Sequence, residues 1–135
     1  TVERFVSMNM GVTGNAVSAR NNAFLGLEDA AGRSYTFPAG NTLTSDYNAW
    51  SGTIAPFDAG WTLYNTLALY QAGTSQDANS ITSDPLLSPS YRPLPGSPLI
   101  GAGTHLGYTR DLAGVQRPNP PSIGAYDVAK MRTFA

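Results

Sequence analysis

The chain has 135 residues, with eight Lys and Arg against nine Asp and Glu, one His and no Cys, which excludes disulfides, a thiolate nucleophile and a cysteine metal site. A net charge of -1 with only 13% charged residues leaves no basic surface for a phosphate backbone, so nucleic acid is not an expected partner. Fourteen Gly and ten Pro suit short strands joined by turns, the length suits a single domain over residues 1–135, and no apolar run approaches a membrane span.

In chain order, Arg4-Phe5-Val6-Ser7-Met8 and Ala16-Val17-Ser18-Ala19-Arg20 are strand candidates, separated by Gly11-Val12-Thr13-Gly14-Asn15. Asn21-Asn22-Ala23-Phe24 follows, a place where asparagines of successive turns of chain can stack in a ladder while Phe24 points inward. Leu25 to Gly40, with Glu28-Asp29 and Tyr35-Thr36-Phe37-Pro38, is predicted to be a loop that leaves and returns. In Thr42 to Gly52, Leu43, Tyr47 and Trp50 are candidates to face inward, with Ser45-Asp46 and Asn48 at the bend; Gly52 to Gly60 is then loop. Trp61 to Ala72 is the one predicted helix: Leu63, Leu67 and Tyr70 fall at helical spacing, Thr62 or Asn65 is placed to cap it, and Gly73 to stop it.

The last third contains two short apolar runs, Pro98-Leu99-Ile100 and Ser122-Ile123-Gly124-Ala125-Tyr126-Asp127-Val128, the second predicted to be a strand. Between them Asp111 can cap its own backbone, Gly114 can take a positive φ, and Pro118 forbids a continuing ladder. The order Ser97-Pro98-Leu99-Ile100, Asp111-Leu112-Ala113-Gly114-Val115-Gln116-Arg117-Pro118 and Ile123-Gly124-Ala125-Tyr126 resembles the closing segment of right-handed parallel β-helix proteins of the pectate-lyase-like, choice-of-anchor Q type. Thr66-Leu67-Ala68-Leu69-Tyr70-Gln71, Gln76-Asp77-Ala78-Asn79-Ser80 and Ser83-Asp84-Pro85-Leu86-Leu87 extend the similarity, which covers roughly Ala16 to Val128. Gly101 and Asp127 depart from it, since the family usually has Asp and Glu there.

The resemblance implies an all-β fold: a few coils of a right-handed parallel β-helix with a C-terminal closing segment and one short helix. Asp111, Gly114, Arg117, Gly124 and Tyr126 are its expected structural cap, followed by the tail Ala129 to Phe134. A β-sandwich or jelly roll is the competing fold for the same short strands. Because a coil takes on the order of 20 to 45 residues and needs a neighbour above and below, the edge near Thr1 to Met10 is expected to meet upstream coils or a neighbouring subunit. Thr at position 1, in place of Met, fits a processed chain, the C-terminal part of a longer β-helix, or one subunit of an oligomer.

For chemistry, the acidic residues are scattered, without the clustered carboxylates that glycan cleavage or a calcium site needs, and Asp46, Asp84 and Asp111 sit where they would cap turns. His105, in Thr104-His105-Leu106-Gly107, has no nucleophile or carboxylate at a telling spacing. No catalytic residue, metal site or cofactor is assigned. Glycan contact is instead expected at Trp50, Trp61 and Tyr64, as stacking platforms, and at Arg110 and Arg117, which would clamp an acidic sugar or, alternatively, close the cap by bonding Asp111 or loop carbonyls. Tyr35, Tyr47, Tyr70 and Tyr91 complete the aromatic inventory.

The leading functional expectation is a non-catalytic C-terminal β-helix module of a secreted or cell-surface protein, structural and in contact with glycan. Two alternatives stand beside it: a virion surface or tailspike-type structural protein, and the C-terminal part of a polysaccharide lyase or hydrolase with its active coils upstream.

Overall fold

The computed structural model describes residue 14 and residues 16–25, 35–37, 40–51, 57–59 and 62–128. Strand candidate Arg4 to Met8, the pair Glu28-Asp29, Trp61, and the Thr1 to Met10 edge and Ala129 to Phe134 tail lie outside them. The described fold is all-β with one short helix. Its strands are β1 (Ala16–Arg20), β2 (Ala23–Leu25), β3 (Tyr35–Phe37), β4 (Thr42–Asp46), β5 (Ala49–Ser51), β6 (Phe57–Ala59) and β7 (Thr62–Tyr64), followed by α1 (Leu67–Thr74).

The chain stacks on itself in parallel. β1 pairs with β4, Ala16 opposite Thr42; β2 pairs with β5, Ala23 opposite Ala49; and β3 pairs with β6, Tyr35 opposite Phe57. Leu25 to Gly40 is therefore not wholly loop, because the aromatic and β-branched Tyr35-Thr36-Phe37 forms β3. Phe57–Ala59, expected to be loop, is likewise a strand, with β3 on one edge and β7 antiparallel on the other. Among the described residues, β1 and β2 pair along one edge only.

Between β1 and β2, and again between β4 and β5, the chain turns through one left-handed residue: Asn21 at φ 57° and Tyr47 at φ 57°. Asn tolerates that conformation, whereas Tyr is costly there. The matched bends are tied together, with Asn21 N–H donating to Tyr47 O at 3.0 Å and Ala49 N–H to Asn22 O at 2.8 Å. Asp46 Oδ1 accepts the Tyr47 N–H at 2.9 Å. A third layer follows: Asp77 N–H donates to Ser45 O, Ile81 N–H to Asn48 O, and Trp50 N–H to Ile81 O.

Alternation along the strands then separates two cores. Phe24 and Trp50 face one way and stack at 4.2 Å with 12° between their rings. They pack with Val17 and Leu43 against Leu67 and Tyr70 of α1. Ala23 and Ala49 face the other way, where Leu99 and Ile123 cover them together with Ile81, Leu87 and Ala102. The C-terminal segment thus lies along the side of all three layers.

The helix begins later than its spacing predicts. Thr66 is the N-cap, its side chain accepting from Leu69 N, because Thr62 to Tyr64 is held by pairing with β6. Leu67 and Tyr70 are buried, but Leu63 on β7 is 57% exposed. Gly73 does not stop the helix; Ser75, at φ 56°, does, returning its N–H to Gln71 O. Gly73 is instead a place of close approach, since a Cβ there would collide with the Tyr64 ring.

Ser122 to Val128 is not a strand. Its backbone donors go elsewhere: Ser122 N–H to Asp127 Oδ1 at 2.7 Å, Ile123 N–H to Leu99 O, Gly124 N–H to Asn21 O, and Asp127 N–H to Asp111 Oδ2 at 3.1 Å. Gly124, at φ 103°, breaks any extended run.

Candidate functional site

The C-terminal segment is held by charged groups with fixed partners. Asp111 Oδ1 accepts the N–H groups of Ala113 at 2.9 Å and Val115 at 2.8 Å, so it caps its own turn as its sequence context predicts. Burial pushes the Asp111 carboxyl up, but the N–H groups of Asp127, Val115 and Ala113 and the nearby Arg117 charge outweigh it and hold the pKa below the ordinary value. Gly114 takes φ 78° and accepts from Arg110 Nη1 through its carbonyl at 2.7 Å. Arg117 donates to Gly124 O at 3.0 Å and Ser122 O at 3.3 Å. Its ion-pair partner is the buried Asp127, at 2.9 Å, in a contact without hydrogen-bond alignment. Tyr126 lies under the Arg92 guanidinium, 4.4 Å from its ring centre.

The segment is fastened to the first layer by Asn21. Its Nδ2 donates to Thr104 O at 2.7 Å, and its Oδ1 accepts Thr104 N–H at 2.8 Å. Gly103 permits this approach: a Cβ there would stand 2.9 Å from both Asn21 Oδ1 and Pro121 O.

Two concavities flank the junction. The larger, about 610 Å³, is walled by Phe24, Leu25, Leu87, Tyr91, Pro93 and Tyr126, among others. The smaller, about 190 Å³, brings Arg20 at the end of β1 together with Arg110 and Arg117, and is rimmed by Leu106 and Tyr108. Tyr108 is 73% exposed. Arg117 is anchored below by Asp127, whereas Arg110 meets only a neutral carbonyl among the described residues. Arg20 accepts from Asn22 Nδ2 through its carbonyl at 3.1 Å and stands opposite Asp46 in the β1–β4 register, while its guanidinium makes no ion pair with a described residue.

The anticipated stacking platforms fare differently. Trp50 is 4% exposed and stacked on Phe24, so it offers no external face; its strand position points it into the core. Tyr64 is half-buried, edge-on to Tyr70 at 5.7 Å and pressed over Gly73, and is likewise a packing residue. Burial, then the Asp77 carboxylate, raises the Tyr70 pKa. Tyr91, 63% exposed, opens to solvent at the larger concavity. His105 sits exposed in its loop.

Arg110 and Arg117 do meet in one pocket. Arg20 and Tyr108 were not anticipated there. Alternation along β1 and the Arg20-Asn21 junction carried a faint signal for the first; nothing local marked the second. Three further carboxylates are engaged structurally: Asp46 accepts from Tyr47 N and from Asn79 N and Nδ2, Asp84 from Leu86 N, and Asp77 from Asn48 Nδ2 and Ser80 Oγ. No described helix is long and apolar enough to cross a membrane. Comparison of the chain with protein-family models, curated proteins and solved structures finds no match.

Proposed function

We propose that the chain is a non-catalytic module of right-handed parallel β-helix type, the C-terminal part of a secreted or cell-surface protein, with a structural role and a glycan-contacting side. The observation that carries this reading is the in-register parallel stacking of residues 16–25 on 42–51, with Asn22 Nδ2 donating to Asn48 Oδ1 across the layers at 3.1 Å. Parallel turns locked by side-chain ladders are what a stacked repeat needs, because no single turn can bury its own face. Asp46, Asp77, Asp84 and Asp111 each have at least one oxygen engaged in a turn or an inter-layer bond, which supports a scaffold in preference to hydrolytic or lyase machinery.

The test is incubation with a panel of acidic polysaccharides, with and without calcium, reading both retention on immobilised glycan and absorbance of unsaturated sugar ends. Retention without release is the expected result. Release of unsaturated ends overturns the module reading in favour of a lyase. Among the described residues β1 and β2 pair along one edge, which favours one other reading, a virion surface or tailspike-type subunit whose edge meets a neighbour. A stable trimer in solution mass measurements is its signature.

A further inference from the structure

We propose that the pocket formed by Arg20, Arg110 and Arg117 binds a carboxylate-bearing sugar through its carboxylate, with the ring lying against Tyr108 and Leu106. This deepens the glycan-contacting reading and rests on it for the ligand being a sugar. The pocket itself rests on independent geometry.

Three guanidinium-bearing residues, Arg20 from β1 and Arg110 and Arg117 flanking one C-terminal turn, line one concavity of about 190 Å³. That is below the roughly 300–1,000 Å³ of ordinary small-molecule sites, so it suits one charged group and part of the ring that carries it. Arg117 is held by Asp127, Ser122 O and Gly124 O, so it stands as a rigid floor. Asp127 and Asp111 are both buried and already engaged by Arg117 or by backbone N–H groups; Arg20 stands opposite Asp46 in the β1–β4 register, whose oxygens accept from Tyr47 N–H and the Asn79 amides, and Arg110 holds a neutral carbonyl. The guanidinium fork matches the two oxygens of a carboxylate, and planar, two-point recognition favours that group over a point anion. Leu106 and Tyr108 are 40% and 73% exposed beside those charges, apolar area that an inorganic anion would leave unused.

The test titrates the whole chain with glucuronate, glucose, acetate and inorganic phosphate, followed by amide chemical shifts and calorimetry. Glucuronate is expected to saturate, with shifts centred on Arg20, Thr104, Tyr108 and Arg110, and to weaken as salt rises. Arg20→Gln and Arg110→Gln should each weaken it about tenfold or more, the loss of one charge-assisted contact. Arg92→Gln, whose guanidinium lies over Tyr126 and lines neither concavity, should leave it unchanged, and circular dichroism verifies that each variant folds. Glucose binding as tightly as glucuronate, phosphate or acetate matching it, or indifference to both arginine substitutions each overturns the proposal. Retention of an acidic polymer that ignores Arg20 and Arg110 defeats the pocket and leaves the module reading standing. Release of unsaturated ends defeats the module reading, whatever the pocket binds.

Discussion

Asn48→Ala should be among the most damaging single substitutions in this chain. The Asn48 side chain is fully buried and ties three layers together. Its Oδ1 accepts Asn22 N at 3.0 Å and Asn22 Nδ2 at 3.1 Å, and its Nδ2 is shared among Ala19 O at 2.9 Å, Ser45 Oγ at 3.0 Å and Asp77 Oδ1 at 2.9 Å. Truncation strands the Asp77 carboxylate without one of its donors, a loss of about 1.5–3 kcal/mol, and the Ala19 carbonyl and Asn22 N–H at about 1 kcal/mol each. The sum, about 3.5 to 5 kcal/mol, is a large share of the roughly 5–15 kcal/mol that holds a domain folded. Urea denaturation followed by circular dichroism measures it. Asn48→Asp keeps the shape but sets a second carboxylate against Asp77, and should cost at least as much at pH 7. Asn79→Ala, which removes an exposed 2.8 Å bond to Asp46, is the surface control, expected to cost under about 1 kcal/mol. If Asn48→Ala stays within about 1 kcal/mol of the parent, the inter-layer ladder is not what holds these turns in register.

The C-terminal segment yields three further expectations. Arg117→Gln leaves the buried Asp127 without its cation and should destabilise by about 3–5 kcal/mol, and the double variant with Asp127→Asn should recover part of that; equal losses in single and double variants would refute the pairing. Because the Asp111 pKa is lowered in the folded chain, its contribution to stability is complete above the ordinary value of 3.8 and is lost as pH falls through the folded value. Acid titration of stability should therefore show a drop below about pH 4 that Asp111→Asn flattens, and an unchanged acid profile in that variant would count against the assignment. Gly103→Ala places a methyl against Asn21 Oδ1 and the Pro121 and Ser122 carbonyls, and overpacking of this kind costs about 1–3 kcal/mol. Hydrogen exchange should report it as faster amides at Thr104 and Gly124 while β4 and β5 remain protected.

The local elements were more legible in the sequence than their assembly. Ala16–Arg20 and Thr42–Asp46 announce themselves by composition and flanking turns, and the Asn21-Asn22 pair correctly marked a stacked bend. Leu67 and Tyr70 marked a helix, but spacing alone assigned Leu63 to it, because three residues of β7 read equally well as a helical turn when their partner strand is unknown. Phe57–Ala59 was invisible for the same reason: an edge supplied by β3 makes it a strand. Trp50 shows the limit for the site. Whether an aromatic in a short strand faces a core or a ligand depends on which side the rest of the chain covers, and that is set here by α1, whose residues begin 17 positions later. Arg110 and Arg117 were identifiable as a pair, while Arg20 joined them only through folding that returns residue 104 to residue 21.

That return sets a timetable for biosynthesis. Asn21 waits for a partner 83 residues further along, and the alanine-lined flank of the first two layers waits for Leu99 and Ile123. At about 5–20 residues per second, a ribosome needs roughly 4 to 17 seconds to supply Thr104 after Asn21 has been made. Through that interval a nascent chain displays apolar surface and unclosed strand edges, the surfaces on which chains of this kind associate wrongly. The closing third of the molecule therefore governs how long each new copy stays uncovered as well as how the finished copy is held.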